Sequence, residues 1–270
     1  MLATPRRPVF VVSCILALIF GLPTLRAQGP TQIRVLSFNI NHGEGTDSRV
    51  DLTRITEAIR EAEPDVVALQ EVDRGMARTG RLDQARLLAG RLGLEHAFGG
   101  NLEIFGGEFG NAVLSRFPIA GAENHTLPSS GGGEPRGALE VTIAPERGPS
   151  FRLISTQLDH RQDDRDRLAA ADRLVALADA EGAPPAVLAG DLNAAPGSGP
   201  LDVLESRWTP TSQRPLPTVP ADAPRAAVDQ ILVAPEGRWR VVEVSVVGEP
   251  SASDHRPVLA VLELLPESTP

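Results

Sequence analysis

Asn39, Glu71, Asp191, Asn193, Asp229 and Asp254, together with the imidazole of His255, stand at the borders of short apolar runs in this chain of 270 residues. Burial alone would put more Val or Ile at such places, and strand ends are where α/β folds build sites. The set is rich in oxygen and free of sulfur. Hard oxygen donors select Mg²⁺, with Mn²⁺ or Ca²⁺ as alternatives, over a thiolate zinc site. A hard cation neutralises a phosphoryl oxygen, a carboxylate takes a proton from water, and an amide holds developing negative charge without adding repulsion. Together these are the tools of phosphoester hydrolysis. Taken singly, each has a structural explanation: Gly190-Asp191-Leu192-Asn193 as an Asx turn, Ser253-Asp254 as a turn cap, Asp229 as a sheet-edge residue, Glu71 as a solvated strand end.

Composition removes other chemistries. All 26 basic residues are arginine, tyrosine is absent, and Cys14 is the one cysteine, so lysine Schiff bases, P-loop lysines and tyrosine nucleophiles are excluded. The formal charge of -9 disfavours a general nucleic-acid binder, although a local arginine cluster can still grip a phosphate.

The elements that must position these residues alternate between β-rich apolar stretches and amphipathic helical patterns, with no internal repeat, as expected of one α/β domain. Strands are expected over residues 33–38, 65–70, 112–115, 139–143, 151–157, 186–189, 228–233, 240–247 and 258–262. Leu52, Ile55, Ile59 and Ala62 fall at helical spacing before Pro64, and Leu168, Ala171, Val175 and Ala178 do so before Gly182. Residues 82–92, closed by Gly93, make a third helix. Five prolines between Thr209 and Ala227 mark a surface loop.

The order of these motifs resembles the endonuclease/exonuclease/phosphatase superfamily. The resemblance rests on Leu36-Ser37-Phe38-Asn39-Ile40, Pro64-Asp65-Val66-Val67-Ala68-Leu69-Gln70-Glu71-Val72-Asp73, Gly110-Asn111-Ala112-Val113-Leu114-Ser115-Arg116, Gly190-Asp191-Leu192-Asn193 and Ser253-Asp254-His255-Arg256-Pro257. It implies a four-layer α/β/β/α sandwich of two mainly antiparallel mixed sheets flanked by helices. By the same resemblance, Glu71 is the principal metal ligand with Asn39 beside it, and Asp254 lies close to the metal. Asp191 orients or deprotonates the attacking water, and Asn193 hydrogen-bonds a phosphate oxygen. Asp229 fixes the tautomer of His255, which faces the phosphate. Arg136 and Asn111 are candidate substrate contacts, Arg136 with the alternative of a surface ion pair to Glu134 or Glu140.

One position departs from the pattern. In Leu153-Ile154-Ser155-Thr156-Gln157-Leu158-Asp159-His160, Gln157 stands where the resemblance expects a second active-site histidine. Glutamine donates a hydrogen bond but delivers no proton at neutral pH, and losing one acid/base group costs about 10²–10⁴ in rate unless the rest compensates. A catalytically weakened phosphate-binding protein on the same fold is therefore the second reading, beside a metal-dependent phosphodiesterase or phosphatase. Strand parity turns His160 away from the vacancy, and His42, His96 and His125 are read as loop or surface residues.

Residues 1–27 read as a secretory signal: Arg6 and Arg7, an apolar run over residues 9–20, then Leu25-Arg26-Ala27 before the cut. Residues 28–270 form the expected domain, secreted or periplasmic, with no permanent membrane span, since the run falls short of the roughly 20 residues a spanning helix needs. Cleavage removes three arginines and takes the charge from -9 to -12. Lipidation at Cys14 is the lesser alternative, because too few apolar residues precede it. The expected partner is a phosphoester, whether a phospholipid headgroup, a soluble phosphoester or nucleic acid, acted on by a monomer.

Overall fold

Alternation of side chains along each strand sorts the apolar residues into three layers. In the computed structural model, which describes residues 31–266 apart from 105 and 131, twelve strands form two six-stranded sheets. The first sheet has strands β1 (Thr31–Asn39), β2 (Val66–Arg74), β3 (Glu95–Ile104), β4 (Gly107–Ser115), β11 (Trp239–Val246) and β12 (Val258–Leu264), in the order β11-β12-β1-β2-β4-β3. The second has β5 (Ile119–Thr126), β6 (Gly137–Ile143), β7 (Phe151–Gln157), β8 (Ala186–Asp191), β9 (Thr209–Pro210) and β10 (Asp229–Ala234), in the order β5-β6-β7-β8-β10-β9. β1 runs parallel to β2 and β7 parallel to β8; the remaining neighbours are antiparallel.

One core lies between the sheets, where Ile33, Val35, Val66, Ala68, Leu153, Val187, Ala189, Ile231 and Val233 pack together. A second joins Leu36, Phe38, Val67 and Leu69 to helices α1 (Leu52–Ala62) and α2 (Gln84–Leu92). A third joins Ile154, Leu188 and Leu232 to α3 (Arg165–Ala178) and α4 (Gly199–Leu204). The layers are thus helix, sheet, sheet, helix, as expected. Asp51 and Asp83 cap α1 and α2 by accepting from Thr53 N and Arg86 N.

Three features differ from the sequence reading. β3 and β5 were not expected: β3 carries paired glycines and mixed polarity, and β5 is a mostly exposed polar edge strand, so neither shows clean alternation. The proline-rich stretch is not all surface. Thr209–Pro210 adds a strand beside β10, and Thr218 and Ala221 are fully buried. Among the described residues no helix is long and apolar enough to cross a membrane. The signal segment and Cys14 lie outside the described residues.

Candidate active site

The inter-sheet face of each strand turns polar at one common end. Ile33 and Val35 are followed at the same parity by Ser37 and Asn39, Leu153 by Ser155 and Gln157, and Val187 and Ala189 by Asp191. β10 runs the other way, so its first residue, Asp229, pairs with Asp191, the last residue of β8. The approach of β8 to β7 is close at Gly190, where a Cβ would sit 1.9 Å from the Thr156 carbonyl oxygen. Any side chain there would push Asp191 away from Gln157. Deeper between the sheets, Gln70 Nε2 donates to Ser155 Oγ (3.1 Å), which donates to the Leu69 carbonyl (3.0 Å). That bridge ties the sheets together beneath the polar end.

Glu71 reaches the site by an irregularity rather than by parity. Gln70 holds the inter-sheet position, so regular alternation would send Glu71 towards the helices. Instead β2 bulges against β4 between Leu69 and Val72, and Glu71 takes a left-handed φ of 56°. Bulges re-aim side chains in this way at functional sites, and a non-glycine left-handed residue there is a cost the fold sustains.

A cavity of about 620 Å³ is lined by Glu71, Gln157, Asp191, Asn193, His255, Arg136, His160 and Arg78, among others. Asn39 is fully buried next to it, and its Nδ2 donates to both Glu71 Oε1 (3.0 Å) and Asp191 Oδ2 (3.2 Å). Gln157 Nε2 donates to the same two carboxylates (2.7 and 3.3 Å), while its Oε1 accepts from Arg136 Nη1 (2.6 Å). Arg136 also pairs with Glu134 (2.7 Å), the ion pair raised for it, but does so buried at the cavity rather than on the surface. Asn193 forms the Asx turn, its N–H donating to Asp191 Oδ1 (3.0 Å), and it lines the cavity as well.

Behind His255 stands Asp229, which accepts from His255 Nδ1 (2.9 Å) and from the Thr218 hydroxyl. The other imidazole nitrogen, Nε2, lies 4.0 Å from Asp191 Oδ2, too far for a hydrogen bond yet within strong electrostatic reach. Burial disfavours the imidazolium, but Asp229, Asp191 and Asp254 outweigh it and push His255 up to about 10. Burial, reinforced by repulsion from Asp229, pushes Asp191 up to about 6, against the opposing pull of His255 and its hydrogen-bond donors.

Of the residues expected at the metal, only Glu71 lines the cavity. Asn39 offers its amide nitrogen to the carboxylates, its carbonyl oxygen accepting from Asn41 N (3.0 Å), so it spaces Glu71 from Asp191 rather than presenting a ligand. Asp254 is exposed and accepts from the Ser253 hydroxyl (3.3 Å); as His255 is drawn to Asp229, its neighbour is left outside. Asn111 is buried and donates to the Gly137 carbonyl (2.8 Å), joining the two sheets instead of facing substrate. Conversely, His160 and His42 line the cavity although the sequence carried no motif for them. β7 ends at Gln157, so parity ceases to govern His160, whose Nδ1 comes within 3.4 Å of Arg136 Nη2.

The donor set suits a hard divalent cation. Glu71 Oε2 has no hydrogen-bond donor among the described residues, and the side chains beside Glu71 are the amides of Asn39 and Gln157 and the carboxylate of Asp191. Among the described residues no three His, Cys, Asp or Glu side chains gather as a metal cluster. Mg²⁺ commonly uses one or two carboxylates and completes its shell with water and substrate phosphate, so a single free carboxylate such as Glu71 fits it without such a cluster.

A stability test follows from Asp191. Its folded value lies above the unfolded 3.8, so between about pH 4 and 6 the folded chain holds a proton that the unfolded chain has lost, and stability falls as pH rises through that window. In chelator, denaturant unfolding at pH 4.5 and 7 is expected to show this loss, with a smaller part from His255 above its unfolded 6.5, and Asp191→Asn to remove the Asp191 part, about 1–3 kcal/mol of the difference between the two pH values. An unchanged slope in the variant would refute the assignment.

The model of the endonuclease/exonuclease/phosphatase family matches residues 36–255. The chain is 30% identical to protein YbhP of Escherichia coli (strain K12) over 248 residues, 86% of this chain and 96% of that one. Among solved structures, an endonuclease/exonuclease/phosphatase from Beutenbergia cavernae superposes with a TM-score of 0.72 at 26% identity, covering 86% of this chain and 72% of that one. The mannosyl-6-phosphatase of Bacteroides thetaiotaomicron VPI-5482 gives a TM-score of 0.67 at 19% identity, covering 85% and 99%, and is a likeness of fold.

Proposed function

The chain belongs to the endonuclease/exonuclease/phosphatase family, whose members are phosphoester hydrolases that generally use divalent metals, and from that premise we propose that it is an exported Mg²⁺-dependent phosphodiesterase. The observation that supports this most is the meeting of Glu71, Asp191, Asn193, Gln157, Arg136 and His255, from both sheets and the loops between them, in one cavity.

Glu71 would hold the cation, which when bound draws negative charge from the phosphoryl group. Asp191, ionised at neutral pH and fixed by Asn39, Gln157 and Asn193, orients a water and accepts its proton. Arg136 offers a hydrogen bond to phosphate oxygens, whereas the Asn193 amide, expected there too, donates to the Leu158 carbonyl (3.0 Å) and to Asp191 Oδ2 (3.2 Å) and so holds the carboxylate instead. His255, kept protonated by Asp229, supplies positive charge and a proton on the side of Asp191. Export rests on the signal pattern of residues 1–27, whose tripartite form and short apolar run argue for cleavage rather than anchoring.

The test is hydrolysis of bis(p-nitrophenyl) phosphate beside p-nitrophenyl phosphate by the full chain, with Mg²⁺ and with chelator. Turnover confined to the metal-containing arm and faster on the diester is expected. Equal turnover in chelator would remove the metal, and a preference for the monoester would make the protein a phosphatase.

Gln157 bears on whether the site is weakened or adapted. Its amide is engaged at both ends, accepting from a guanidinium and donating to two carboxylates. Imidazolium has no acceptor for Arg136 and would place like charge against it. Gln157→His is therefore expected to leave kcat unchanged or lower it by up to about tenfold. A rise of about 10² or more would instead mark a site weakened by loss of the histidine.

A further inference from the structure

One wall of the cavity serves none of the chemistry above. Met76, Leu102, Ile104 and Phe109 line it, opposite the carboxylates in chemical character though part of the same space. Its construction is specific. β3 and β4 form a hairpin whose register slips between Gly100 and Leu102, and this bulge changes the parity of β3. Leu102 then pairs with Phe109, with Ile104 two residues further along the same face. On β4, Phe109 continues the inter-sheet parity of Val113 and Asn111, so the wall extends the core face past the end of the sheet.

The wall is also held firmly. Gly107 packs so close to the turn carrying Met76 that a Cβ would lie 2.6 Å from Gly75 C and Met76 N. Arg74 pairs with Glu108 (2.5 Å) and lies 4.3 Å over the Phe98 ring. Arg78, anchored on Asp73 (2.8 Å), lies 5.4 Å over the Phe109 ring. Ile104 nevertheless remains 36% exposed and Leu102 partly so. An apolar surface left partly exposed in the same cavity as the carboxylates is suited to the apolar part of a ligand.

We propose that this wall receives an aliphatic arm of the substrate, so that the natural substrate is an amphiphilic phosphoester with a hydrocarbon chain attached near the phosphate. The inference rests on the phosphoester-hydrolase reading and adds the substrate class. An aliphatic arm fits better than a nucleobase because, among the described residues, the wall offers no free stacking surface. Three of its four members are aliphatic, the Phe109 ring is covered by Arg78, the chain has no tyrosine, and both tryptophans are buried in the cores. The net charge of -9 also speaks against a polynucleotide. In the reaction, water oxygen bonds to phosphorus, one phosphorus–oxygen ester bond breaks, and the departing alkoxide takes a proton to leave as an alcohol.

The test is calorimetric binding of methyl, butyl, hexyl and octyl phosphate, with adenosine monophosphate as a comparison, to the full chain in Mg²⁺. Affinity is expected to rise about threefold per methylene buried, and by at least about tenfold from methyl to hexyl. The Leu102→Ser, Ile104→Ser double variant should flatten the series, while Leu102→Met, Ile104→Val should preserve it. A series independent of chain length, absence of binding by every alkyl phosphate, or tighter binding of adenosine monophosphate than of hexyl phosphate would overturn the proposal. Metal-dependent hydrolysis of bis(p-nitrophenyl) phosphate alongside a flat series would leave the phosphodiesterase reading standing and remove only the aliphatic arm.

Discussion

Glu71→Ala is expected to lower diester hydrolysis by at least about 10³-fold in Mg²⁺, the equivalent of about 4 kcal/mol of transition-state stabilisation. The size of the effect comes from what Glu71 does alone. One of its oxygens is free of donors among the described residues, and the other accepts the amides of Asn39 and Gln157. Removing it takes away the cation's anchor and leaves those amide hydrogens to Asp191 alone. Glu71→Gln keeps the volume but not the charge, and is expected to be as inactive. Isothermal titration of Mg²⁺ should show affinity lost in both variants. Retention of metal binding with full activity in Glu71→Gln would show that the cation is held elsewhere.

The second large effect is at His255, where substitution by alanine is expected to cost about 10²–10⁴ in kcat at pH 7. Its pH dependence is more diagnostic than its size. The folded imidazole titrates near 10 because Asp229, Asp191 and Asp254 outweigh burial. The active form is the protonated one, so activity should hold through neutral pH and fall as pH rises through about 10. Its contribution to stability is likewise complete below the unfolded value of 6.5 and disappears as pH passes the folded value. Asp229→Asn removes the hydrogen-bonded charge at 2.9 Å while burial persists, so the alkaline limb must move to lower pH. An alkaline limb that stays in place in Asp229→Asn would mean that another group sets it.

Much of this arrangement was legible in the chain. Apolar alternation ending in Asn39, Gln157 and Asp191 carries the site because a period of two fixes which face each residue joins. Asp229 was legible for the same reason, at the start of a strand running the other way. The position of Glu71 was visible as a motif but not as geometry, since its direction depends on a bulge against β4, a strand 35 or more residues later in the chain. Asp254 shows the converse limit. Adjacent to His255 in sequence, it is exposed because only one of the two neighbours meets Asp229. The apolar wall was not legible as a face, although the glycine-rich segment from Phe98 to Gly110 resembles one that flanks the site in the family. It arises from the pairing of Leu102 with Phe109 after a slip at paired glycines, and neither hydropathy nor spacing encodes that slip.

The order of strands in the first sheet also bears on the birth of the protein. β1, the earliest described strand, pairs on one side with β2 and on the other with β12, the last described strand. Until the ribosome has released residues 258–264, β1 keeps an open edge, and a nascent chain stopped after β10 has Glu71 and Asp191 but lacks His255. Ser253 then joins the ends by donating from its hydroxyl to the Asn39 carbonyl (2.8 Å), seating His255 as the sheet closes. Closure of the first sheet and completion of the cavity are therefore one late event in synthesis, and a chain that lacks residues 253–264 has an open edge where the cavity's imidazole partner of Asp229 should be seated.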